Sequence, residues 1–298
     1  MITRPRQVED GLAYEDGELT LRDGRTLAWR WWGPQGGKPV LRLQGTPSSR
    51  LARHPDPRIQ LDLGARYLQA DRPGYGDSTR KPDRGVADFA GDLVELLDAH
   101  GLDTVPVIGG SGGGPHALAI AALYPDRVSA VTVVVGAAPL VADEVKRLVG
   151  VNADGYRAAE RGWQDLLEIL VKVRERLLGN EGLQGVLRDA PERDRAVMAD
   201  PAWQRLSRAD VTESLKQGAE GWTDESMALH RDWDFDLGAV EAPVTWWHGD
   251  DDMNAPLSAA RRAAALLRKV DLRVWSSEGH FAPTIHQREV MEELLSRA

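Results

Sequence analysis

The amino-acid sequence predicts an α/β fold: a mostly parallel, twisted sheet flanked by helices on both faces, with a helical insertion. Three observations carry that expectation. Short apolar runs alternate with helix-period segments at both ends of the 298-residue chain, the pattern of strand–helix–strand units. Between about residues 138 and 238 no convincing strand occurs, and apolar residues recur at helical spacing. A single serine, Ser111, stands among five glycines between a buried apolar run and a helical one.

The elements follow in order. ELTLRD (18–23) and TLAWRWW (26–32) flank Asp23-Gly24-Arg25 and read as a β-hairpin. PVLRLQG (39–45) and ARYLQAD (65–71) read as short strands ending in turns. VADFAGDLVELLDAHG (86–101) puts Phe89, Leu93, Leu96 and Leu97 on one helical stripe, closed by Gly101. VPVIGG (105–110) is a buried strand, followed by a helix from about Gly113 to Tyr124 that Pro125 stops. SAVTVVVG (129–136) is another buried strand. In the middle stretch, Trp163, Leu166, Leu167, Leu170, Val173 and Leu177 make a helical stripe, and Asp200-Pro201 and Thr223-Asp224-Glu225 look like helix starts. APVTWWHG (242–249) and DLRVW (271–275) are strands, SAARRAAALLRK (258–269) and PTIHQREVMEELLS (283–296) helices. The expected division is a core of 1–137 and 238–298 with a helical cap, or lid, of 138–237.

Composition narrows the function classes. A net charge of −9 with scattered Lys and Arg argues against nucleic acid or an anionic membrane surface as partner. The chain has no cysteine, which excludes disulfides, thiolate metal sites and a cysteine nucleophile. The first residues lack an apolar signal-peptide core, and no uncharged apolar run reaches membrane-spanning length. A soluble cytoplasmic protein is expected. No cofactor is implied, and the oligomeric state stays open.

Gly109-Gly110-Ser111-Gly112-Gly113 fits G-x-S-x-G in the context that motif requires, a buried strand before and a helix after. A sharp turn there lifts the serine hydroxyl out of the sheet, and small neighbours let backbone pass close by. The following helix aims its N-terminus at the hydroxyl, where an oxyanion would be favoured. Pro115 suits that helix's first turn. No Gly-Lys-Ser/Thr follows, so a phosphate loop is a poor match.

A serine hydroxyl needs a base, and the base an orienting group. Of seven histidines, His280 follows the last strand directly and lies in a loop, where catalytic groups gather in α/β sheets. His286 falls inside the final helix and His248 ends a strand. After the preceding strand, HGDDDMNAP offers Asp250, Asp251 and Asp252. Asp252, deepest in the turn before Pro256, is preferred, with Asp250 its competitor. His248 with these acids reads as a strand end rather than a metal site.

At QGTPSSR (44–50), DRPGYGDS (71–78), GGSGGGPHALA (109–119), WWHGDDDMNAP (246–256) and EGHF (278–281) the chain resembles the α/β-hydrolase superfamily, in its capped serine esterase/lactonase-like branch. The order Ser…Asp…His is that of the superfamily. The resemblance implies a catalytic set of Ser111, Asp252 and His280, with an oxyanion hole formed by the backbone N–H groups of Thr46 and Gly112. Gln44 stands where the family usually has His, so the bracing of that loop is expected to differ while the hole stays intact. Asp71 and Arg72 are expected to be turn residues and His116 a packed helix histidine. A serine at the elbow sets the chain apart from haloalkane dehalogenases and epoxide hydrolases of this fold, which use Asp.

The cap would supply the rest of the pocket. Trp163, Trp203, Trp222, Met227 and Trp233 could form an apolar wall, though cap–core packing explains each of them more simply. Gln44, Gly45, Trp163, Trp222 and Phe281 are the substrate-contact candidates. The implied reaction is hydrolysis of a small-molecule carboxylic ester with a hydrophobic acyl or alcohol part. Alternatives are a proline iminopeptidase-like aminopeptidase, with Glu220 or Glu225 holding the amine, a lactonase, a C–C bond hydrolase, a biosynthetic acyltransferase, or a non-catalytic ligand-binding module.

Overall fold

Hydrophobic runs too short for helices line up side by side in the computed structural model, which describes residues 1–148 and 150–297. In chain order the elements are β1 (Ile2–Thr3), β2 (Gln7–Glu9), β3 (Leu12–Thr20), β4 (Thr26–Trp32), β5 (Lys38–Leu43), α1 (Arg58–Asp62), β6 (Ala65–Ala70), α2 (Asp88–Ala99), β7 (Val105–Gly110), α3 (Gly113–Leu123) and β8 (Val128–Val134). Then come α4 (Ala142–Val145), α5 (Gly150–Arg161), α6 (Trp163–Leu178), α7 (Gly182–Val186), α8 (Glu192–Ala199), α9 (Pro201–Ser214) and α10 (Glu220–His230). The chain closes with β9 (Val244–Gly249), α11 (Leu257–Ala264), β10 (Val270–Trp275), α12 (Ala282–Ile285) and α13 (Gln287–Arg297).

The strands form one ten-stranded sheet in the order β1-β3-β4-β6-β5-β7-β8-β9-β10, with β2 on β3. The pairs from β6 through to β10 are parallel, and those involving β1 to β4 antiparallel. Strand order reverses around β5, which sits between β6 and β7; such a switch opens a crevice beyond the carboxyl ends of the strands. One sheet face buries Phe89, Leu93, Leu96 and Leu97 of α2 with α3 and α11, each worth roughly 1.5–3 kcal/mol of burial. The other face packs Trp247 and Trp275 under Val290, Met291 and Leu294 of α13. A third cluster joins α5, α6, α9 and α10 over Tyr75 of a core loop.

The structure redraws several expected boundaries. The hairpin's first strand starts at Leu12, and the small, exposed β1 and β2 add an edge whose apolar content is too low to read. Asp200 caps α9 through the Trp203 N–H with Pro201 next, as expected. Thr223-Asp224-Glu225 do not start a helix: α10 begins at Glu220, and the Thr223 hydroxyl donates to the Ala219 carbonyl from inside the helix. The helix expected over 258–269 ends at Ala264, and the final helix breaks at His286, which stacks on Trp275 at 4.8 Å. Between β8 and β9 no strand occurs among the described residues. No helix among them is long and apolar enough to cross a membrane.

Candidate active site

Ser111 takes φ +51°, a left-handed conformation that costs a residue with a Cβ, between β7 and α3. Its N–H bonds the Val134 carbonyl at 2.9 Å, and its carbonyl accepts the N–H groups of Gly114 and Ala137, both at 3.0 Å. None of the flanking glycines has positive φ; at Gly109, Gly112 and Gly113 a Cβ is excluded by proximity, whereas at Gly110 it would meet only Val134 at 3.5 Å. A Cβ on Gly109 would lie 2.4 Å from the Gly113 carbonyl oxygen, and one on Gly113 would lie 2.2 Å from that of Leu43. The elbow is therefore folded back on itself and against the end of β5.

His280 Nε2 lies 2.9 Å from Ser111 Oγ, and its Nδ1 lies 2.8 Å from Asp252 Oδ2. Asp252 Oδ1 accepts the backbone N–H groups of Asn254 at 2.8 Å and Ala255 at 2.9 Å. Burial alone would raise the Asp252 pKa, but His280, His248 and these amides outweigh it and hold the carboxyl below its ordinary value. Burial alone would lower the His280 pKa; Asp252, then Asp194, reverse this and leave it above its ordinary value. Asp250 is exposed and instead caps the turn after β10 through the Ser277 N–H at 2.6 Å. A hydroxyl, an imidazole and an ionised carboxylate in this order can pass a proton from oxygen to nitrogen.

Opposite the histidine lies the loop 44–50. Arg72, fully buried, donates to the Gln44 carbonyl at 2.6 Å, to the Gly45 carbonyl, and to Thr46 Oγ1 at 2.8 Å. Gln44 Nε2 bonds the Ala70 carbonyl at 2.7 Å and ties β5 to β6. The Thr46 side chain fills the place a Gly112 Cβ would take, 2.4 Å from Oγ1, so the two expected oxyanion residues are neighbours. Asp71 and Arg72 are the turn residues expected, and they also lock this loop, since Asp71 accepts the Arg50 N–H at 2.6 Å and pairs with its guanidinium.

Behind Arg72 stands Glu225 of α10, fully buried. It meets Arg72 Nε at 3.0 Å, the Arg84 guanidinium, and His116 Nε2 at 2.9 Å. Burial pushes its pKa up, but Arg72, Arg84 and His116 hold it well below the carboxylate range. His116 is packed as expected, with burial keeping its own pKa low, but its ring belongs to this charged cluster.

The serine, the imidazole and the loop from Gln44 border a cavity of about 540 Å³. Ser111, His280, Gly112 and Thr46 lie on it, as do Gln44, Gly45, Trp222 and Phe281. Leu166, Leu170, Val173 and Leu177 of α6 and Trp203 of α9 supply apolar wall. Trp163 is not on it: its indole N–H donates to Asp224 at 2.7 Å and Arg80 lies 5.2 Å over its ring. A buried carboxylate satisfies the indole N–H better than an apolar wall would. Met227 packs behind the α6 wall in the same apolar cluster, and Trp233 packs on a different cluster; neither is on the cavity. Among the described residues no group of three or more His, Asp or Glu side chains could hold a metal ion.

Sequence reasoning missed two acids of the helices after β8. Asp210 of α9 faces the cavity and accepts the Ser48 hydroxyl and both Ser49 donors at 2.7 Å, with burial pushing its pKa up to about 6. Asp194 of α8 accepts the backbone N–H groups of His280 and Phe281, each at 2.9 Å. Both sit in charged stretches of helix, where nothing in the pattern distinguishes an inward acid from a solvated one.

Comparison with known proteins agrees with this architecture. A family model of the alpha/beta hydrolase fold matches residues 38–286. The chain is 26% identical over 273 residues to a non-heme chloroperoxidase of Kitasatospora aureofaciens, covering 88% of this chain and 90% of that protein. It is 25% identical over 293 residues to a bifunctional esterase/perhydrolase of Acinetobacter calcoaceticus, covering 94% and 98%. A hydrolase of Pseudomonas aeruginosa PA01 has a similar crystal structure, with TM-score 0.71 at 20% identity, covering 94% of this chain and 98% of that one. The parallel sheet, the strained serine turn after β7 and a family match spanning most of the chain lead to one assignment: this chain belongs to the alpha/beta hydrolase family of enzymes.

Proposed function

We propose that the chain is a serine hydrolase that cleaves a carboxylic ester with a hydrophobic acyl or alcohol part, with residues 138–237 acting as its cap. The observation that carries this reading is the continuous contact Ser111–His280–Asp252, at 2.9 and 2.8 Å, opening on an apolar cavity. Ser111 Oγ attacks the ester carbonyl while His280 Nε2 takes its proton. Asp252 holds the imidazole tautomer and stabilises the imidazolium. The N–H groups of Thr46 and Gly112 receive the oxyanion, and removing one such donor costs on the order of 3 kcal/mol of transition-state stabilisation. His280 then protonates the leaving alcohol, and water releases the acid by the same route.

The acids considered for binding a substrate amine do not favour the aminopeptidase reading. Glu225 is occupied by Arg72, Arg84 and His116, and neither it nor Glu220 is among the described cavity residues. The name of the Acinetobacter relative supports an ester substrate class.

The test is intact mass after exposure to a fluorophosphonate, beside p-nitrophenyl esters of rising acyl length, for wild type and Ser111→Ala. One adduct on the wild type, none on the variant, and ester turnover reduced at least about 10³-fold in the variant are expected. Near-normal turnover in Ser111→Ala rejects the mechanism. An adduct without ester turnover moves the substrate to lactones, amides or diketones.

A further inference from the structure

Asp194 sits on α8, in a stretch well separated in sequence from the strand-end loops, yet its carboxylate is bound to the His280 loop. Oδ2 accepts the His280 N–H and Oδ1 the Phe281 N–H, both at 2.9 Å. The residue is 2% exposed. Gly279 admits it, because a Cβ at that position would lie 2.3 Å from Asp194 Oδ2. Its basic neighbours are engaged elsewhere: Arg193 pairs with Glu278, and Arg195 donates to the Ala190 carbonyl. A carboxylate buried on two backbone amides, with no ion pair among the described residues, is a costly place for an anion. Burial accordingly raises its pKa.

The groups around the imidazole are few. Asp252 bonds it directly from the loop after β9, and Asp194 approaches from α8. His248 lies beyond Asp252 at 3.6 Å, with burial lowering its pKa. Ser111 is neutral, and Glu278, on the loop before Gly279, is paired with Arg193 of α8. Asp194 is thus a second negative charge near His280, and it is absent from the described lining of the reaction cavity.

We propose that Asp194 is a positioning residue for the general base: it fixes the His280 loop through two amides, adds a negative charge beside the imidazole, and makes that placement depend on α8 being docked. The proposal rests on reading His280 as the base. The arrangement has a specific electrostatic consequence. An isosteric amide keeps one of the two acceptor contacts, turns an NH2 donor toward the other N–H, and removes the charge, so the imidazolium loses part of its stabilisation.

The experiment compares wild type, Asp194→Asn and Asp194→Ala in the full chain, with kcat and KM for a p-nitrophenyl ester measured against pH. Asp194→Asn is expected to lower plateau kcat by roughly 10- to 100-fold, to leave KM within about twofold, and to move the acid limb of kcat to lower pH. An acid limb that stays in place in Asp194→Asn overturns the proposal, whatever happens to kcat. If Asp194→Ala does not fold, the isosteric variant decides. Titration of the His280 imidazole by NMR in wild type and Asp194→Asn makes the same comparison without turnover. A fall in the His280 pKa supports the placement even if ester hydrolysis proves the wrong reaction, and no fall refutes it.

Discussion

Two carboxylates reach from the helices after β8 into opposite sides of the site, and they are held in opposite ways. Glu225 of α10 stands behind the 44–50 loop among Arg72, Arg84 and His116, and its charge is over-compensated. Asp194 of α8 holds the His280 loop through two backbone amides, with no ion pair among the described residues. The first is a structural ion cluster, in which removing the anion strands two buried guanidiniums. The second is an anion retained at a cost beside a titrating imidazole. Charge compensation, more than burial, separates a group that stabilises the fold from one that tunes a neighbour, since both residues are almost wholly buried.

The largest effect that tests this contrast is on stability. Glu225→Ala is expected to cost about 3–5 kcal/mol, the range for breaking a buried pair. Asp194→Ala is expected to cost about 1–3 kcal/mol, the range for orphaning buried donors. Urea unfolding of both variants measures the two, and equal losses would break the comparison. The pH course sharpens it, using the isosteric variants. Glu225 has a folded pKa well below its ordinary 4.5, so its contribution is present above that value and lost only in stronger acid. The Glu225→Gln deficit should therefore stay level from pH 7 down to about 4.5. Asp194 has a folded pKa above its ordinary 3.8, so folding favours its protonated form, and that contribution is full in acid and lost as pH rises through the folded value. The Asp194→Asn deficit should shrink over the same climb in pH.

The base side also predicts the shape of the rate profile. Asp252 and Asp194 together overcome burial and hold His280 above its ordinary 6.5. A raised pKa keeps the imidazole protonated to higher pH, so kcat should fall through a limb lying above 6.5 as the solution is acidified. Initial rates from pH 5 to 9, with chemistry shown to limit turnover, check it. A limb below 6.5 would mean that burial wins over the two carboxylates.

The same asymmetry explains what could be read from the chain. Ser111, Asp252 and His280 each follow a strand directly, so strand–turn patterning and glycine placement pointed to them before any coordinates. Asp252 was separable from Asp250 only by its depth in the turn, and its two backbone amide partners now account for that depth. Asp194 and Glu225 carry no such mark. Each is one acid among several on a short helix, and its inward direction depends on how that helix docks. Trp163, a substrate-contact candidate by sequence, lies off the cavity for a related reason, since its indole N–H follows Asp224, a partner 61 residues away. Arg72 reads from the DRPGYGDS motif as a turn residue, but its reach under the 44–50 loop depends on a register of β5 and β6 that no local pattern encodes.

Gln44 gives the smallest and most diagnostic effect on the Arg72 side. Its Nε2 bonds the Ala70 carbonyl at 2.7 Å, while its buried Oε1 has no partner among the described residues. Arg72 grips the same loop at the Gln44 carbonyl, the Gly45 carbonyl and Thr46 Oγ1. If that grip, backed by Glu225, sets the positions of the Thr46 and Gly112 amides, the side chain at 44 only trims the loop. Gln44→His, which can also donate to Ala70, should then change stability by less than about 1 kcal/mol and kcat by no more than about threefold. Gln44→Leu, which leaves the Ala70 carbonyl unmet, should cost about 1 kcal/mol with a similarly small change in kcat. A loss of kcat beyond tenfold in the histidine variant would transfer control of the oxyanion loop from the Arg72–Glu225 cluster to Gln44, and Glu225 would then be a stabilising ion pair with no influence on the site.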